Sequence, residues 1–508
     1  MDINQHSSKN KIKKVDLLVV GGGINGAGIA AAASERGLKV LLCEQHDLAS
    51  ATSSASSKLI HGGLRYLEHY KFRLVKEALA EREVLLRKAP HLVWPLEFIL
   101  PHSSQLRPKL LIRAGLFLYD HLSTRTRIPA SKAVDLKNDG ITKTKFTQGF
   151  SYHDCSVDDS RLVISNALAV KQQNGEVVTR TKCVTAKAEL DYWSVILTNS
   201  NTGLSYTVKA KAIVNACGPW AESFIHKQLK LKSPRSLRLV KGSHIIVPRI
   251  HTQDHAYILQ NSDRRVVFVI PYLKKFSLIG TTDEPYEGDP TQIKISEQEV
   301  SYLLQSVNHY FYKTLNKNDV LSNYAGVRPL CNDEPSNKPS AVTRDYTLEI
   351  QEVNNLPLLT VFGGKITTYR KSSIAAVKKL APYFPTINAN TIDDKPLPGG
   401  DFEQSNWQAL LSKISEEAPW LSPKTIERLA RNYGSNCFEL LRPAKSLQEM
   451  GQHFGCGLYK IEVDYLITNE WAQSLEDIIW RRNKLGYFLS QLEQKQLAGY
   501  LDSLSINE

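Results

Sequence analysis

An apolar run at residues 15–20 that ends in Gly21-Gly22-Gly23-Ile24-Asn25-Gly26 leaves this chain few folds to choose from. The run is long enough for one buried strand, and Gly21, Gly23 and Gly26 fill a G-x-G-x-x-G frame. Each glycine has its own reason to be there. Gly21 permits a tight turn, Gly23 lets the backbone approach a pyrophosphate, and Gly26 lets helix and strand pack closely. The phosphates then face free N–H groups at the start of the next helix, where the dipole favours an anion. Ile24 and Asn25 lie in the same turn and are candidate cofactor contacts. The helix is rich in alanine and ends near Gly37, and a second apolar run at 40–43 leads to Glu44. An acid about 20 residues past the last glycine is placed to accept from ribose hydroxyls. Strand, helix, strand and acid in this order predict a dinucleotide-binding unit over 15–44. The frame alone leaves FAD and NAD open, and Glu44 disfavours a phosphorylated ribose.

At 508 residues the chain is too long for one core, so two or three domains are expected. Its 64 basic and 51 acidic residues give a net charge of +13, which points to an anionic partner: a phosphorylated substrate, a nucleic acid or an anionic membrane. Seven cysteines without paired spacing suit a reducing compartment. No CxxC and no metal-ligand cluster is present in the sequence, so no metal site is predicted. Residues 1–14 are polar and lysine-containing, unlike a signal peptide, and no apolar run approaches the ~20 residues of a spanning helix. A cytoplasmic protein, with the option of sitting on a membrane face, is the expectation.

After Glu44, six hydroxyl residues fall between Ser50 and Ser57, and the run continues into His61-Gly62-Gly63, where backbone can approach a flat ligand. A loop covering a cofactor is favoured over a linker. Residues 72–88 have helical periodicity with many charges, as a solvated helix does. Residues 106–119, followed by Arg125 and Arg127, mix cations with large apolar side chains, as an interfacial amphipathic helix does, although a core helix with cationic ends fits equally. Residues 175–213 alternate like two or three strands and end in Asn215-Ala216-Cys217-Gly218-Pro219-Trp220, a strand meeting a Gly-Pro turn. Period-2 segments at 243–247, 256–259, 266–270 and 276–280 predict an antiparallel sheet, and 296–312 a helix. The strand at 358–362 runs into Gly363-Gly364-Lys365, a second strand–glycine–helix junction able to aim a helix N-terminus at an anion. A Pro- and Gly-containing linker is expected at 388–400, with helices beyond it.

Taken together these segments resemble the FAD-dependent glycerol-3-phosphate dehydrogenases, specifically the aerobic, quinone-reducing bacterial kind. The resemblance spans nearly the whole chain. It is strong at the glycine frame, at Ser53 to Glu68 with its His61-Gly62-Gly63-Leu64-Arg65-Tyr66, and at Asn215 to Trp220. It continues through Lys241-Gly242-Ser243-His244, Ile279-Gly280-Thr281-Thr282-Asp283, Gly326-Val327-Arg328-Pro329-Leu330 and Phe362 to Arg370. Cys217 stands where the family often has Thr, and the C-terminal part matches more loosely.

The resemblance implies an α/β fold: a Rossmann-like FAD-binding domain of the glutathione-reductase and D-amino-acid-oxidase kind, carrying an inserted antiparallel-sheet substrate part. Residues 1–388 form this discontinuous unit, with the substrate part mainly at 238–325, and 389–508 a helical C-terminal domain. It implies oxidation of sn-glycerol 3-phosphate to dihydroxyacetone phosphate, noncovalent FAD, and electrons passed to ubiquinone. It also implies peripheral attachment to the inner face of an anionic membrane, and a homodimer. Nucleic acid is not an expected partner.

The implied FAD contacts are Gly21, Gly23, Ile24, Asn25, Gly26, Glu44, Ser56, Ser57, His61, Gly62, Gly63, Val184 (through backbone near the adenine), Ala216, Gly218, Gly364, Lys365, Thr367 and Thr368. Thr367 and Thr368 can also cap the following helix. Arginine suits a phosphate clamp because its planar fork pairs with two oxygens, and Arg65, Arg328 and Arg344 are the candidates. For the proton acceptor, His244, His61 and Lys365 stay open; His244 and Lys365, together with Arg328 of the clamp, are the catalytic candidates. Two other readings stay open as well. One is a flavoenzyme of the same fold that uses oxygen, against which the number of cations near the site argues. The other is a nucleic-acid-binding flavoprotein, which would need an aromatic and basic interleaving that the sequence lacks.

Overall fold

The computed structural model describes residues 12–103, 108–137, 139–332, 345–387 and 394–505. Strand β1 (Lys13–Val20), helix α1 (Ile24–Ser34) and strand β2 (Val40–Cys43) form the predicted unit, with β1 and β2 parallel. Strand Glu176–Val178 extends the sheet beyond β2, while Ser205–Asn215 and Leu356–Gly363 follow on the other side of β1, all parallel. Tyr346–Val353 closes that edge as an antiparallel hairpin partner. Strands buried on both faces read as unbroken apolar runs, and Leu17, Leu18 and Val19 are fully buried. One face is covered by α1 and by helices Asp159–Gln172 and Tyr369–Leu380. Alanines at 30–33 let these helices approach one another closely. The other face is covered by the meander that runs through Thr181–Ala188 and Trp193–Asn199 and packs Trp193 and Leu197 inward.

The second sheet has ten strands. Leu237–Pro248, Phe276–Gly280, Val266–Tyr272 and Ala256–Gln260 are antiparallel neighbours, as the alternation predicts. It is larger than the 238–325 segment. Val93–His102 joins Ala256–Gln260 in the sheet's parallel pairing, and Gln148–Val157 and Lys132–Asp135 follow. Ser322–Cys331 pairs along its own whole length with residues 237–246 of Leu237–Pro248, register Val240 to Arg328. Helix Glu297–Tyr310 starts at a capping box between Ser296 and Glu299. Helix Phe72–Lys88 forms, but it is not a solvated one: Val75, Leu79, Leu85 and Leu86 pack inward, and Glu81 and Arg82 are buried as ion-pair partners.

The third part, from 394 onward, is helical around its own core of Trp407, Leu429, Phe454, Leu466 and Leu497. It is tied to the first sheet by buried ions: Arg161 pairs with Glu470, and Arg482 with Asp47, all four essentially inaccessible. Removing one partner of such a pair typically costs several kcal/mol, about 3–5, because the other charge stays buried. Among the described residues no helix is long and apolar enough to cross a membrane.

Candidate active site

A cleft of about 1200 Å³ opens where the carboxyl ends of β1, β2 and Ser205–Asn215 meet the second sheet. This is where open α/β sheets bind ligands. Among the described residues, seven of the charged side chains lining it are cationic and one, Glu44, is acidic.

One end of the cleft is built from backbone. Gly21 has φ +111°, and a Cβ there would lie 2.5 Å from the Ala216 carbonyl oxygen. A Cβ on Gly26 would lie 1.9 Å from the Gly21 carbonyl oxygen, so α1 sits against the turn as only glycine allows. Helix α1 begins at Gly23 with no side-chain cap. Its first-turn N–H groups therefore face the cleft as donors, except that Ile24 N–H donates to Ser53 Oγ at 2.9 Å. Glu44 accepts from Gly22 N–H at 2.7 Å and His46 N–H at 2.8 Å, and burial raises its carboxyl above the usual range. Asn25 Nδ2 donates to the Gly363 carbonyl, while its Oδ1, buried beside Gly364, has no partner among the described residues.

The serine-rich segment folds over the cleft as a loop. Ser56 Oγ donates to Asp159 at 2.7 Å, and the buried Lys58 pairs with the same carboxylate. Ser57 lines the cleft, and its Oγ lies 2.9 Å from His244 Nε2. His244 is buried behind it, stacked on Tyr324 at 4.9 Å, with Nδ1 unpartnered among the described residues. Burial, with Arg328 and Lys58 nearby, holds His244 well below the usual histidine range, so it is neutral at rest. Tyr324 in turn donates to the Ser56 carbonyl.

Cations line the cleft outside the glycine turn. Arg328 projects from Ser322–Cys331 and donates to Asp283 at 3.0 Å and Thr281 Oγ1 at 2.9 Å. Gly242 on the neighbouring strand leaves room for it, since a Cβ there would lie 2.5 Å from Arg328 Nη2. Lys365 follows Gly363 and Gly364, both at positive φ, and its Nζ lies 3.9 Å above the Tyr66 ring. The helical domain adds Trp480, Arg481, Lys484 and Tyr487 to the lining, with Arg481 on the side of Glu44, where it bonds Asp47. Burial lowers the ammonium pKa of Lys484, which bonds Asp158 and Ser160.

The cleft therefore gathers Gly21, Gly23, Ile24, Asn25, Glu44, Ser56, Ser57, His61, Ala216, Gly218, Arg328, Gly364, Lys365 and Thr367. Others stand apart. Gly26 lies beneath the turn. Gly62 is buried, its N–H donating to Tyr119 Oη at 2.9 Å, and Gly63 is the left-handed entry to the next turn. His244 reaches the cleft only through Ser57. Arg65 is half-buried and does not line the cleft. Val184 sits at a bulge and is 45% exposed, and the lining of that strand is Thr181, Lys182 and Cys183. Thr367 Oγ1 accepts from His61 N–H rather than capping a helix. Thr368 is the residue before Tyr369–Leu380 but makes no side-chain cap bond: it closes the 3-10 turn Ile366–Thr368 at φ −108°, ψ 11°, away from the extended geometry of a capping residue. Arg344 lies outside the described residues. The residues missed from the sequence are Thr281 and Asp283, which hold Arg328, and the four from the helical domain. Only Thr281 and Asp283 stood in a motif.

The family model described as FAD dependent oxidoreductase matches residues 16–370, and that of the C-terminal domain of alpha-glycerophosphate oxidase matches 391–504. The chain belongs to the FAD-dependent oxidoreductase family, and its cofactor is FAD. Within that family it is 54% identical to a glycerol-3-phosphate dehydrogenase of Pseudomonas aeruginosa, over 96% of this chain and 95% of the relative. It is 45% identical to the D-erythritol 1-phosphate dehydrogenase of Brucella abortus, covering 97% and 98%. A solved structure of the glycerol-3-phosphate dehydrogenase from Bacillus halodurans complexed with FAD superposes with a TM-score of 0.75 at 25% identity, over 97% of this chain and 94% of that one. The site fits the cofactor. The glycine turn and open helix start suit the pyrophosphate, Glu44 the ribose, and the orphaned Asn25 Oδ1 offers an acceptor beside Gly364.

Proposed function

We propose that this enzyme oxidises sn-glycerol 3-phosphate to dihydroxyacetone phosphate and delivers the electrons to a membrane quinone. The carrying observation is a cleft that combines a backbone cradle at the glycine turn with Arg328 and Lys365 among its lining cations. A phosphate dianion suits Arg328, whose fork is pre-aimed by Asp283 and Thr281. Lys365, held over Tyr66, adds a second positive charge. Bound FAD supplies the two-electron acceptor for the hydride that leaves C2. The hydroxyl proton must leave at the same carbon. Ser57 and His244 form one donor–acceptor unit for it: Ser57 Oγ takes the substrate proton as it gives its own to His244 Nε2. The cations beside His244 oppose a lasting imidazolium, which favours rapid release of that proton.

Support for the membrane reading comes from the surface helix Lys109–His121. Leu110, Leu111, Phe117 and Leu118 are exposed beside Lys109 and Arg113. Tyr119 on its inner face bonds Gly62 N–H and Asp154, linking this helix to the loop at the cleft.

The test is an anaerobic titration of the purified protein, following flavin absorbance. The arms are sn-glycerol 3-phosphate, D-erythritol 1-phosphate, glycerol and sarcosine. Bleaching at lowest concentration by sn-glycerol 3-phosphate, and none by glycerol, supports the proposal. Preferential bleaching by the four-carbon phosphate moves the substrate within the polyol phosphates, and bleaching by sarcosine alone overturns the reading.

A further inference from the structure

The helical C-terminal domain closes on the loop that follows β2. Asp47 lies three residues beyond Glu44 and is completely buried. Its carboxylate is held by two successive arginines of the other domain. Arg482 donates from Nη1 and Nη2 at 2.7 and 2.8 Å, one bond to each oxygen, and Arg481 donates from Nε at 2.5 Å. The same loop is gripped a second time. Arg180 N–H donates to the His46 carbonyl at 2.8 Å, and its guanidinium donates to both oxygens of Asp477 at 2.7 and 2.8 Å. Asp477 also receives Arg481 and the N–H groups of Gln473 and Ser474. Thr181 N–H donates to the Glu44 carbonyl at 2.7 Å. The backbone of residues 44–47 is thus fixed in part by side chains 434 and 435 positions away. Trp480 and Arg481 themselves line the cleft there.

We propose that the helical domain is a clasp for the adenosine half of the cofactor, with Asp47, Arg481 and Arg482 as positioning residues that act through Glu44 on FAD affinity. The arrangement has the form a clasp needs. A carboxylate that is to meet ribose hydroxyls must stand still, and Glu44 has no side-chain partner of its own among the described residues. Its oxygens take two backbone N–H groups, Gly22 and His46, and the second of these belongs to the loop that Asp47 and Arg180 pin. Releasing Asp47 removes one of the two grips on the loop that carries the His46 amide, and loosens Glu44 with it. Binding is reciprocal: if docking of the helical domain favours FAD, FAD must favour docking.

The inference rests on the placement of the ribose at Glu44, so the experiment carries Glu44→Gln beside Asp47→Asn and the double variant. FAD affinity is measured by fluorescence quenching on the deflavinated full chain, and substrate turnover is measured at saturating FAD. The expected results are about 10- to 100-fold weaker FAD for each single variant, a double variant no weaker than the worse single, and turnover at saturating FAD near wild type for Asp47→Asn. Additive losses, or unchanged FAD affinity in Asp47→Asn while Glu44→Gln weakens it, overturn the clasp. Unchanged affinity in Glu44→Gln overturns the ribose placement and the clasp with it. Amide exchange of the unmutated chain gives a second readout in case Asp47→Asn does not fold. FAD added to the deflavinated protein slows exchange at Gln473 and Ser474 if the clasp holds, and leaves it unchanged if the helical domain is an independent body.

Discussion

Replacing Gly26 by alanine tests the cofactor cradle at its tightest point. The added Cβ would lie 1.9 Å from the Gly21 carbonyl oxygen, and ordinary contact begins near 3.4 Å, so about 1.5 Å must be found. The turn has little freedom to yield. Gly21 N–H donates to the Cys43 carbonyl, Ala216 N–H to the Val20 carbonyl, and Gly21 is itself wedged against Ala216. Helix α1 must therefore retreat, and its first-turn amides retreat with it. Two effects on stability oppose each other: alanine gains up to ~1 kcal/mol in helix propensity, and overpacking costs about 1–3 kcal/mol. The balance is a modest loss. The effect on binding is larger. Two hydrogen bonds to a charged phosphate at about 1.5–3 kcal/mol each amount to roughly two to four decades in affinity. The assay is FAD titration of the deflavinated chain, with Gly115→Ala in the surface helix as the control, since a Cβ there meets nothing within 4 Å. If Gly26→Ala binds FAD within about threefold of the unmutated chain, the first-turn amides are not the phosphate site.

Arg328→Lys keeps the charge but loses the fork, and is expected to raise the substrate KM about 10- to 100-fold at unchanged FAD affinity; equal weakening of glycerol and its phosphate ester in steady-state kinetics would refute the clamp. His91 is fully buried with both ring nitrogens unpartnered among the described residues, and burial, with Arg161 nearby, lowers its pKa to about 3. The unfolded chain takes up this proton below pH ~6.5 while the folded chain does not, so stability falls as pH drops. At pH 5 the penalty is about 2 kcal/mol, and His91→Leu should lose that much less than the unmutated chain between pH 7 and 5 in urea unfolding. Lys109→Ala with Arg113→Ala should weaken binding to anionic vesicles about 30-fold at low salt; unchanged sedimentation with vesicles would place the membrane contact elsewhere.

What the sequence made legible was local. Residues 15–44 form the expected unit because strand, turn, helix and acid are each fixed by neighbours close in the chain. The serine-rich loop was readable as a cover for the same reason. The second sheet was only half readable: Val93–His102 enters through a parallel pairing with Ala256–Gln260, more than 150 residues away. His244 was recognised, but a strand presents two faces, and nothing near it in sequence says that Ser57 stands between it and the cleft. The predicted threonine cap failed because Gly363 and Gly364 deliver the chain into a 3-10 turn, whose last residue, Thr368, lacks the extended geometry of a capping residue. Arg481 and Lys484 carried no local signal, being ordinary cations of a helical domain until the fold brings them to the cleft.

The two ends of the cleft differ in what holds them, and that difference bears on how substrate choice can change. The cofactor end is made of amides, carbonyls and missing Cβ atoms, so a substitution there meets backbone and has nowhere to go. The rest of the cleft is lined mainly by side chains. Arg328 stands on the second sheet, Lys365 beyond the glycine pair, and Tyr272 and Tyr487 come from two different domains. A hydroxymethyl group more or less in the substrate alters contacts with these side chains alone, and such a change is worth only about 1–3 kcal/mol in an apolar wall, more where a hydroxyl must be paired. A relative 45% identical over almost the whole chain is named for D-erythritol 1-phosphate, one carbon longer. The phosphate clamp and the cradle can stay fixed while the wall between them sets chain length. Under the proposed function, the aromatic side chains of the cleft are the place to test what separates three-carbon from four-carbon substrates, before the glycine frame or Arg328.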